Sequence, residues 1–145
     1  MPTKDLKALT RHFVEEWNRG KAALMAVIDE TVAANNVVHT ADGRDVRGLK
    51  DHKQMFSEMY DAFPDARVTI DDMVVEGDKI AIRFTFTGTH KGKFMGIPPT
   101  NKRVTISTIE IDRVVDGKFA EAWARSDTLG FMQQLGLIPA PGKGK

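Results

Sequence analysis

At 145 residues the chain has the size of one domain, able to bury about two thirds of its unfolded surface around a single core, and with no Cys it holds no disulfide, thiolate nucleophile or Cys-ligated metal. Its 21 Lys and Arg against 20 Asp and Glu leave a formal charge of +1 and no long basic run, so it lacks the electrostatic footprint of a nucleic-acid-binding protein. No apolar stretch approaches the ~20 residues that span a bilayer, and residues 1–18 are amphipathic and charged throughout, unlike a signal peptide; the expectation is a soluble, cytoplasmic protein with no membrane association.

From Thr3 onward Leu6, Leu9, Phe13, Val14 and Trp17 form one helical stripe, and Asn18-Arg19-Gly20 ends it with a glycine suited to a left-handed cap. Lys21 to Ile28 predicts a short second helix, and Asp29 to Asn36 a connection compatible with one more helical turn. Val37 to Thr40 reads as a short strand before a polar loop through Asp42-Gly43. Leu49 to Phe63 predicts a third helix with Met55, Phe56, Met59, Tyr60 and Phe63 on one side, closed by Pro64, which disfavours helical backbone at the residue before it.

Four strands follow, Arg67 to Glu76, Lys79 to Thr89, Arg103 to Val115 and Lys118 to Ser126, the first two joined by a tight turn at Gly77-Asp78. His90 to Thr100 is too rich in Gly and Pro for regular structure yet carries Phe94, Met95 and Ile97, which predicts a flap folded onto the domain. Thr128 to Leu135 returns to helix, capped by Asp127 or Thr128 and stopped at Gly136, and a mobile tail is expected from about residue 137 to 145. Helices first and a long antiparallel meander afterwards is an α+β pattern in one domain, residues 1–145. Long strands twist, so the sheet can curl around the helices and enclose a pocket.

The chemistry concentrates on Lys118 to Asp127. Asp116-Gly117 between alternating runs is a strong hairpin signal, because both central residues of the favoured two-residue turn need positive φ. Pairing Val115 with Lys118 sets Ile106 opposite Asp127, Thr108 opposite Arg125, Glu110 opposite Trp123 and Asp112 opposite Glu121, all on one face. The other face then collects Ile109, Ile111, Ala120, Ala122, Ala124, Thr105, Ser107 and Ser126, a small and mostly apolar surface expected to join two copies of the chain in a symmetric dimer. A one-residue slip in register would overturn this sorting.

Ala62-Phe63-Pro64-Asp65, Glu76-Gly77-Asp78, Gly88-Thr89-His90, Gly96-Ile97-Pro98-Pro99-Thr100, Asp116-Gly117-Lys118, Glu121-x-Trp123-x3-Asp127 and Gln134-Leu135-Gly136, in this order and spacing, resemble the SnoaL-like polyketide cyclases. The resemblance covers nearly the whole chain. It implies the cone-shaped fold of the nuclear-transport-factor-2-like (NTF2-like) superfamily, with helices packed in the concavity of a curved, mostly antiparallel sheet around an apolar pocket. In that family an Asp at the position of Asp127 acts as general acid/base in an intramolecular aldol closure, without metal or Schiff base. The family's Gln-x-His pair on the neighbouring strand aligns with Thr108 and Glu110, a departure in the groups that hold the substrate's oxygen functions.

Two roles stand open for several residues. Asp127 is either a pocket acid/base, its pKa raised by an apolar wall that includes Trp123, or the N-cap of the last helix. Glu110 and Arg125 form a salt bridge on the pocket floor or contact substrate. His39, on a strand among valines, is a pocket donor or base, or a core histidine. His90 contacts ligand or fixes the flap. Phe13, Trp17, Tyr60 and Met59, at helical spacing, are core, ligand wall or both. The four histidines, at 12, 39, 52 and 90, lack metal-ligand spacing, and no metal or cofactor is assigned. Three functions fit: an acid/base enzyme acting on a small, partly apolar carbonyl compound (cyclase, isomerase or hydrolase), a carrier that binds such a compound unchanged, and a protein-interaction module.

Overall fold

The computed structural model describes residues 5–139; most of the expected tail, residues 140–145, lies outside the described residues. The elements run α1 (Leu6–Trp17), α2 (Lys21–Thr31), β1 (Val32–His39), β2 (Asp45–Arg47), α3 (Gly48–Ala62), β3 (Arg67–Glu76), β4 (Lys79–Thr89), β5 (Arg103–Val115), β6 (Lys118–Ser126) and α4 (Thr128–Gln134). One sheet holds all six strands in the order β2-β1-β6-β5-β4-β3, and only β1 and β6 run parallel. The helices pack into the hollow of this curved, open sheet, which is the α+β cone the sequence implies.

The four long strands keep the bounds that alternation predicts. The Asp29–Asn36 connection instead divides into a last turn of α2 and the first half of β1. Thr31 back-bonds to the Val27 carbonyl at 2.7 Å, and Val32, nearly buried, begins the strand. β2 was hidden within the polar loop, where only Val46 is buried. Asp5 caps α1 through the Ala8 N–H, and Gly20, at φ 124°, turns the chain into α2.

Curvature has a local cause. The ladder shifts register at three places, between Val32 and Val37 of β1, at Asp71 of β3, and at Ala120 of β6. An extra residue bends a strand and increases its twist. At Asp71 the extra side chain accepts a hydrogen bond from Thr85 at 2.6 Å. In β6, Val114 pairs with Phe119 but Arg113 pairs with Glu121, so Ala120 has no partner.

That bulge corrects the expected hairpin. Val115 does pair with Lys118, but beyond Ala120 every pairing moves by one: Thr108 faces Ser126, Glu110 faces Ala124, Asp112 faces Ala122, and Trp123 and Arg125 face Ile111 and Ile109. The β5 half of the face assignment stands, and the β6 half inverts. Phe119 and Ala122, three positions apart, both face the hollow, which strict alternation forbids.

The core joins α1, α2, α3 and α4 to the inner sheet through Trp17, Leu24, Ile28, Phe63, Val104, Phe131 and Leu135. Phe63 is its hub, with ring centroids 5.4 Å from Phe86, 5.3 Å from Phe94 and 6.3 Å from Phe131. Tyr60 belongs to this core and donates its hydroxyl to the Trp17 carbonyl. Asn18, just past α1, holds both backbone groups of Val68 with its side-chain amide, each at 2.8 Å. Asn18→Ala leaves a donor and an acceptor of β3 without those partners, and urea denaturation is expected to show a loss of about 2 kcal/mol.

Candidate functional site

Between α1, α3 and the inner sheet face lies a cavity of about 880 Å³. Its exposed lining residues gather at one end: Asp42 and Arg44 of the β1–β2 loop, Glu58 of α3, Lys93, Met95 and Gly96 of the flap, and Asp127 with Thr128 at the start of α4. That end is the mouth. Aromatic rings build the walls, with Trp17 4.9 Å from Phe56 and 6.4 Å from Phe84, and Phe13 5.9 Å from Phe119. These rings come from the helical stripe of α1, the inner side of α3 and alternate positions of β4 and β6. The flap lines the mouth through Lys93 and Met95, closes on itself at the Phe94–Ile97 bridge and is held to the domain by Phe94 on Phe63.

Asp127 sits at the rim and has both positions that the sequence left open. Its Oδ1 accepts the Gly130 N–H at 2.9 Å, capping α4, while its carboxylate lines the mouth. Just inside, Thr108 is buried and shares a 2.9 Å hydrogen bond with the Ser126 hydroxyl. Glu110 lies deeper on the same face of β5, and Asp112 deeper still. Phe13 and Trp17 form walls.

Five expected site residues are elsewhere, Tyr60 among them, since it lies in the core and not on the cavity wall. Trp123 and Arg125 follow the Ala120 bulge onto the outer sheet face, so Trp123 is no wall for Asp127. Glu110 does not meet Arg125, whose guanidinium instead donates to the Ala124 carbonyl at 2.7 Å. His39 is outside too, because it lies beside Trp123 in the parallel pairing; it stacks on that ring at 5.5 Å and bridges Asp45 at 2.8 Å and Glu121 at 2.7 Å. Those hydrogen bonds, Glu121 first, raise its pKa above 6.5. His90 is wholly buried behind the flap, stacked on Phe63, its Nδ1 accepting from the Thr100 hydroxyl at 3.1 Å. It fixes the loop and does not line the cavity.

Several cavity residues escaped the sequence reading, among them His52, Asp112 and Ser126, the last turned inward by the Ala120 bulge. His52 lies one turn before Phe56 on the inner side of α3, so its place on the Phe56–Met59 stripe was the signal that it faces inward. Its Nδ1 meets Asn36 Oδ1 at 2.8 Å. Burial lowers its pKa from 6.5 to about 4, leaving a neutral imidazole at pH 7. Asp112 was placed on the correct face but assigned no role. Burial, then the neighbouring Glu110 charge and hydrogen bond, raise its pKa well above 3.8; burial also raises Glu110.

The fold and its cavity define a class: an open α+β cone that surrounds a small-molecule-sized apolar chamber with ionisable groups on its wall and rim. The family model for SnoaL-like polyketide cyclases matches residues 7–135, and the chain belongs to that family. It is 26% identical over 132 residues to aklanonic acid methyl ester cyclase DauD from Streptomyces sp. strain C5, covering 88% of this chain and 80% of DauD. A 49-residue stretch, 34% of this chain, is 37% identical to nogalonic acid methyl ester cyclase from Streptomyces nogalater, covering 37% of that protein. Among solved structures, TsrD from Streptomyces laurentii superposes with a TM-score of 0.82 at 29% identity, over 95% of this chain and 99% of TsrD. Among the described residues, no helix is long and apolar enough to cross a membrane.

The shifted groups act on stability in opposite directions. A carboxyl kept protonated in the fold but ionised in the unfolded chain destabilises the fold as pH rises past its ordinary value, since the unfolded state then binds fewer protons. Asp112→Asn removes that effect, so its stability relative to wild type is expected to increase as pH is raised from about 4 to neutrality. His52 is neutral in the fold and takes up a proton on unfolding, so it lowers stability as pH falls from 6.5 toward about 4, by at most about 3 kcal/mol. His52→Gln is expected to lose that dependence. Urea denaturation of the three proteins across this range checks both.

Proposed function

We propose that this protein is a cyclase-type enzyme that closes a ring within a small, partly apolar carbonyl compound, using Asp127 as general acid/base and no cofactor. The observation that carries this reading is the aromatic cavity with a carboxylate at its rim. One oxygen of Asp127 is held by the Gly130 N–H, and Oδ2 has no hydrogen-bond partner among the described residues. Family membership and two relatives named as methyl ester cyclases point the same way.

In this mechanism Asp127 removes a proton α to a carbonyl. The resulting enolate carbon attacks a second carbonyl of the same molecule, and the alkoxide formed takes the proton back from Asp127, so the protein ends as it began. The paired hydroxyls of Thr108 and Ser126, immediately inside the rim, are the nearest donors for the enolate oxygen and stand where the family's Gln-x-His pair is absent. The walls hold the flexible substrate folded with its reacting carbons together.

Native mass spectrometry against a pool of small carbonyl compounds and polyketide-like aromatics tests the reading. Wild type is expected to alter a ligand chemically, and Asp127→Asn to bind it with turnover reduced by about 100-fold or more. Undiminished turnover by Asp127→Asn defeats the mechanism; a ligand returned unchanged by both makes the protein a carrier. Gly130→Ala is a sharper probe. A Cβ there would collide with Asp127 Oδ2 and stand 2.7 Å from its Cγ, so turnover is expected to fall although the carboxylate remains.

A further inference from the structure

Ring closure at the rim leaves one motif unused, Gln134-Leu135-Gly136. Gln134 is the last residue of α4, at the opposite end of that helix from Asp127. Its exposed side-chain amide makes two hydrogen bonds to one residue of β5: Oε1 accepts the Thr105 N–H at 2.7 Å, and Nε2 donates to the Thr105 carbonyl at 2.9 Å.

The sheet explains why these bonds form. β6 ends at Ser126, opposite Thr108, so β5 runs on past its neighbour and Thr105 meets no strand on that side. A strand edge left there presents an N–H and a carbonyl that need partners. The Gln134 amide carries a donor and an acceptor side by side, as a peptide group does, and supplies the missing rung. Two residues along β5, the Asp127 N–H donates to the Ser107 carbonyl at 3.1 Å. The edge of β5 therefore fastens α4 at both ends, through Asp127 at its start and Gln134 about two turns later.

Between these fastenings lies the contact that orients the carboxylate. Asp127, Gly130 and Gln134 recur at i, i+3 and i+7, along one face of the helix. The Gly130 N–H holds Asp127 Oδ1 at 2.9 Å, and the approach is so close that a Cβ on Gly130 would stand 2.7 Å from Asp127 Cγ. Phe131 and Leu135 are buried in the core, but apolar burial is non-directional and sets neither the rotation of α4 nor its slide along β5. Two hydrogen bonds to a single residue set both.

We infer that Gln134 is a positioning residue for ring closure: its amide on Thr105 sets the place of α4 and, through the Gly130 N–H, the place of the Asp127 carboxylate at the cavity mouth. The inference rests on the reading of Asp127 as the acid/base. Gln134 itself does not line the cavity, so its loss displaces the carboxylate and leaves the aromatic walls that hold the ligand in place.

Gln134→Met keeps the length of the side chain and removes the amide; Gln134→Glu keeps an acceptor for the Thr105 N–H and, as a carboxylate, loses the donor to its carbonyl. On the compound that wild type alters in the pool of small carbonyl compounds, Gln134→Met is expected to lower kcat about tenfold or more with KM within about twofold, and Gln134→Glu to fall between it and wild type. Added to Asp127→Asn, Gln134→Met is expected to lower turnover no further, because a residue that acts through the carboxylate then has nothing to act on. Gln133→Ala, whose neighbouring amide donates to the Pro139 carbonyl, serves as the unaffected control. A second readout needs no substrate. In nuclear magnetic resonance spectra the Gly130 amide proton of wild type is expected downfield of its position in Asp127→Asn, and Gln134→Met is expected to lose at least about half of that displacement.

Full kcat in Gln134→Met beside an impaired Asp127→Asn, an equal further loss in the Asp127→Asn background, a rise in KM in place of a fall in kcat, or an unmoved Gly130 resonance would overturn the inference and leave the Asp127 mechanism standing. Undiminished turnover by Asp127→Asn, or no compound altered by wild type, would overturn the mechanism and the role of Gln134 with it.

Discussion

A single unpaired residue, Ala120, decides which half of β6 meets the cavity. Side chains alternate across a strand, so one extra residue exchanges inside and outside for every position after it. Phe119, before the bulge, packs on Phe13 within the hollow. After it Ala122, Ala124 and Ser126 face inward, and Glu121, Trp123 and Arg125 are turned out. The consequence is steric as well as chemical. An indole and a guanidinium opposite Glu110 would occupy the chamber, whereas two alanines and a serine leave it open and let the carboxyls of β5 stand in it.

The same bulge organises the outer face. Trp123 comes to rest against His39, which bridges Asp45 and Glu121, and Arg113 reaches Glu121 at 3.1 Å. Ile109 and Ile111 remain 57% and 41% exposed beside them. The surface read from strict alternation as small and apolar is instead a mixture of an aromatic ring, two isoleucines and an ion-paired cluster. Polar groups that looked costly inside are satisfied outside, while the cavity keeps fewer polar groups, each with a defined setting.

Within the cavity the polar groups fall into two stations. Asp127 stands where the chain opens to solvent, with the buried Thr108 and its partner Ser126 just inside, and the buried Asp112 and His52, with half-buried Glu110 beside Asp112, stand where it does not. Burial drives the second set toward neutrality, the carboxyls by holding a proton and the imidazole by losing one. A neutral imidazole and a carboxyl pair that holds a proton coexist there at less electrostatic cost than the same groups fully charged.

Local patterns were sufficient for the helices and the four long strands, though not for β2 or the first half of β1. Alternation bounded β3 to β6, the stripe of Leu6, Phe13 and Trp17 marked α1, Pro64 ended α3, and the family's scattered fragments indicated a cone with a pocket and an Asp at the end of the last strand. These signals depend on residues near one another in the chain, where period and turn chemistry operate. What lay beyond them depends on partners far apart in sequence. The parallel pairing of β1 with β6 sends His39 outward, Asn36 aligns His52 across the α3–β1 contact, and Ala120 bulges only because Arg113 and Val114 pair with residues two apart. Register in a sheet is settled by both strands and by what each face must bury. The sequence by itself therefore determined which groups this protein has and on which elements, and the tertiary structure alone decided which of them share the cavity.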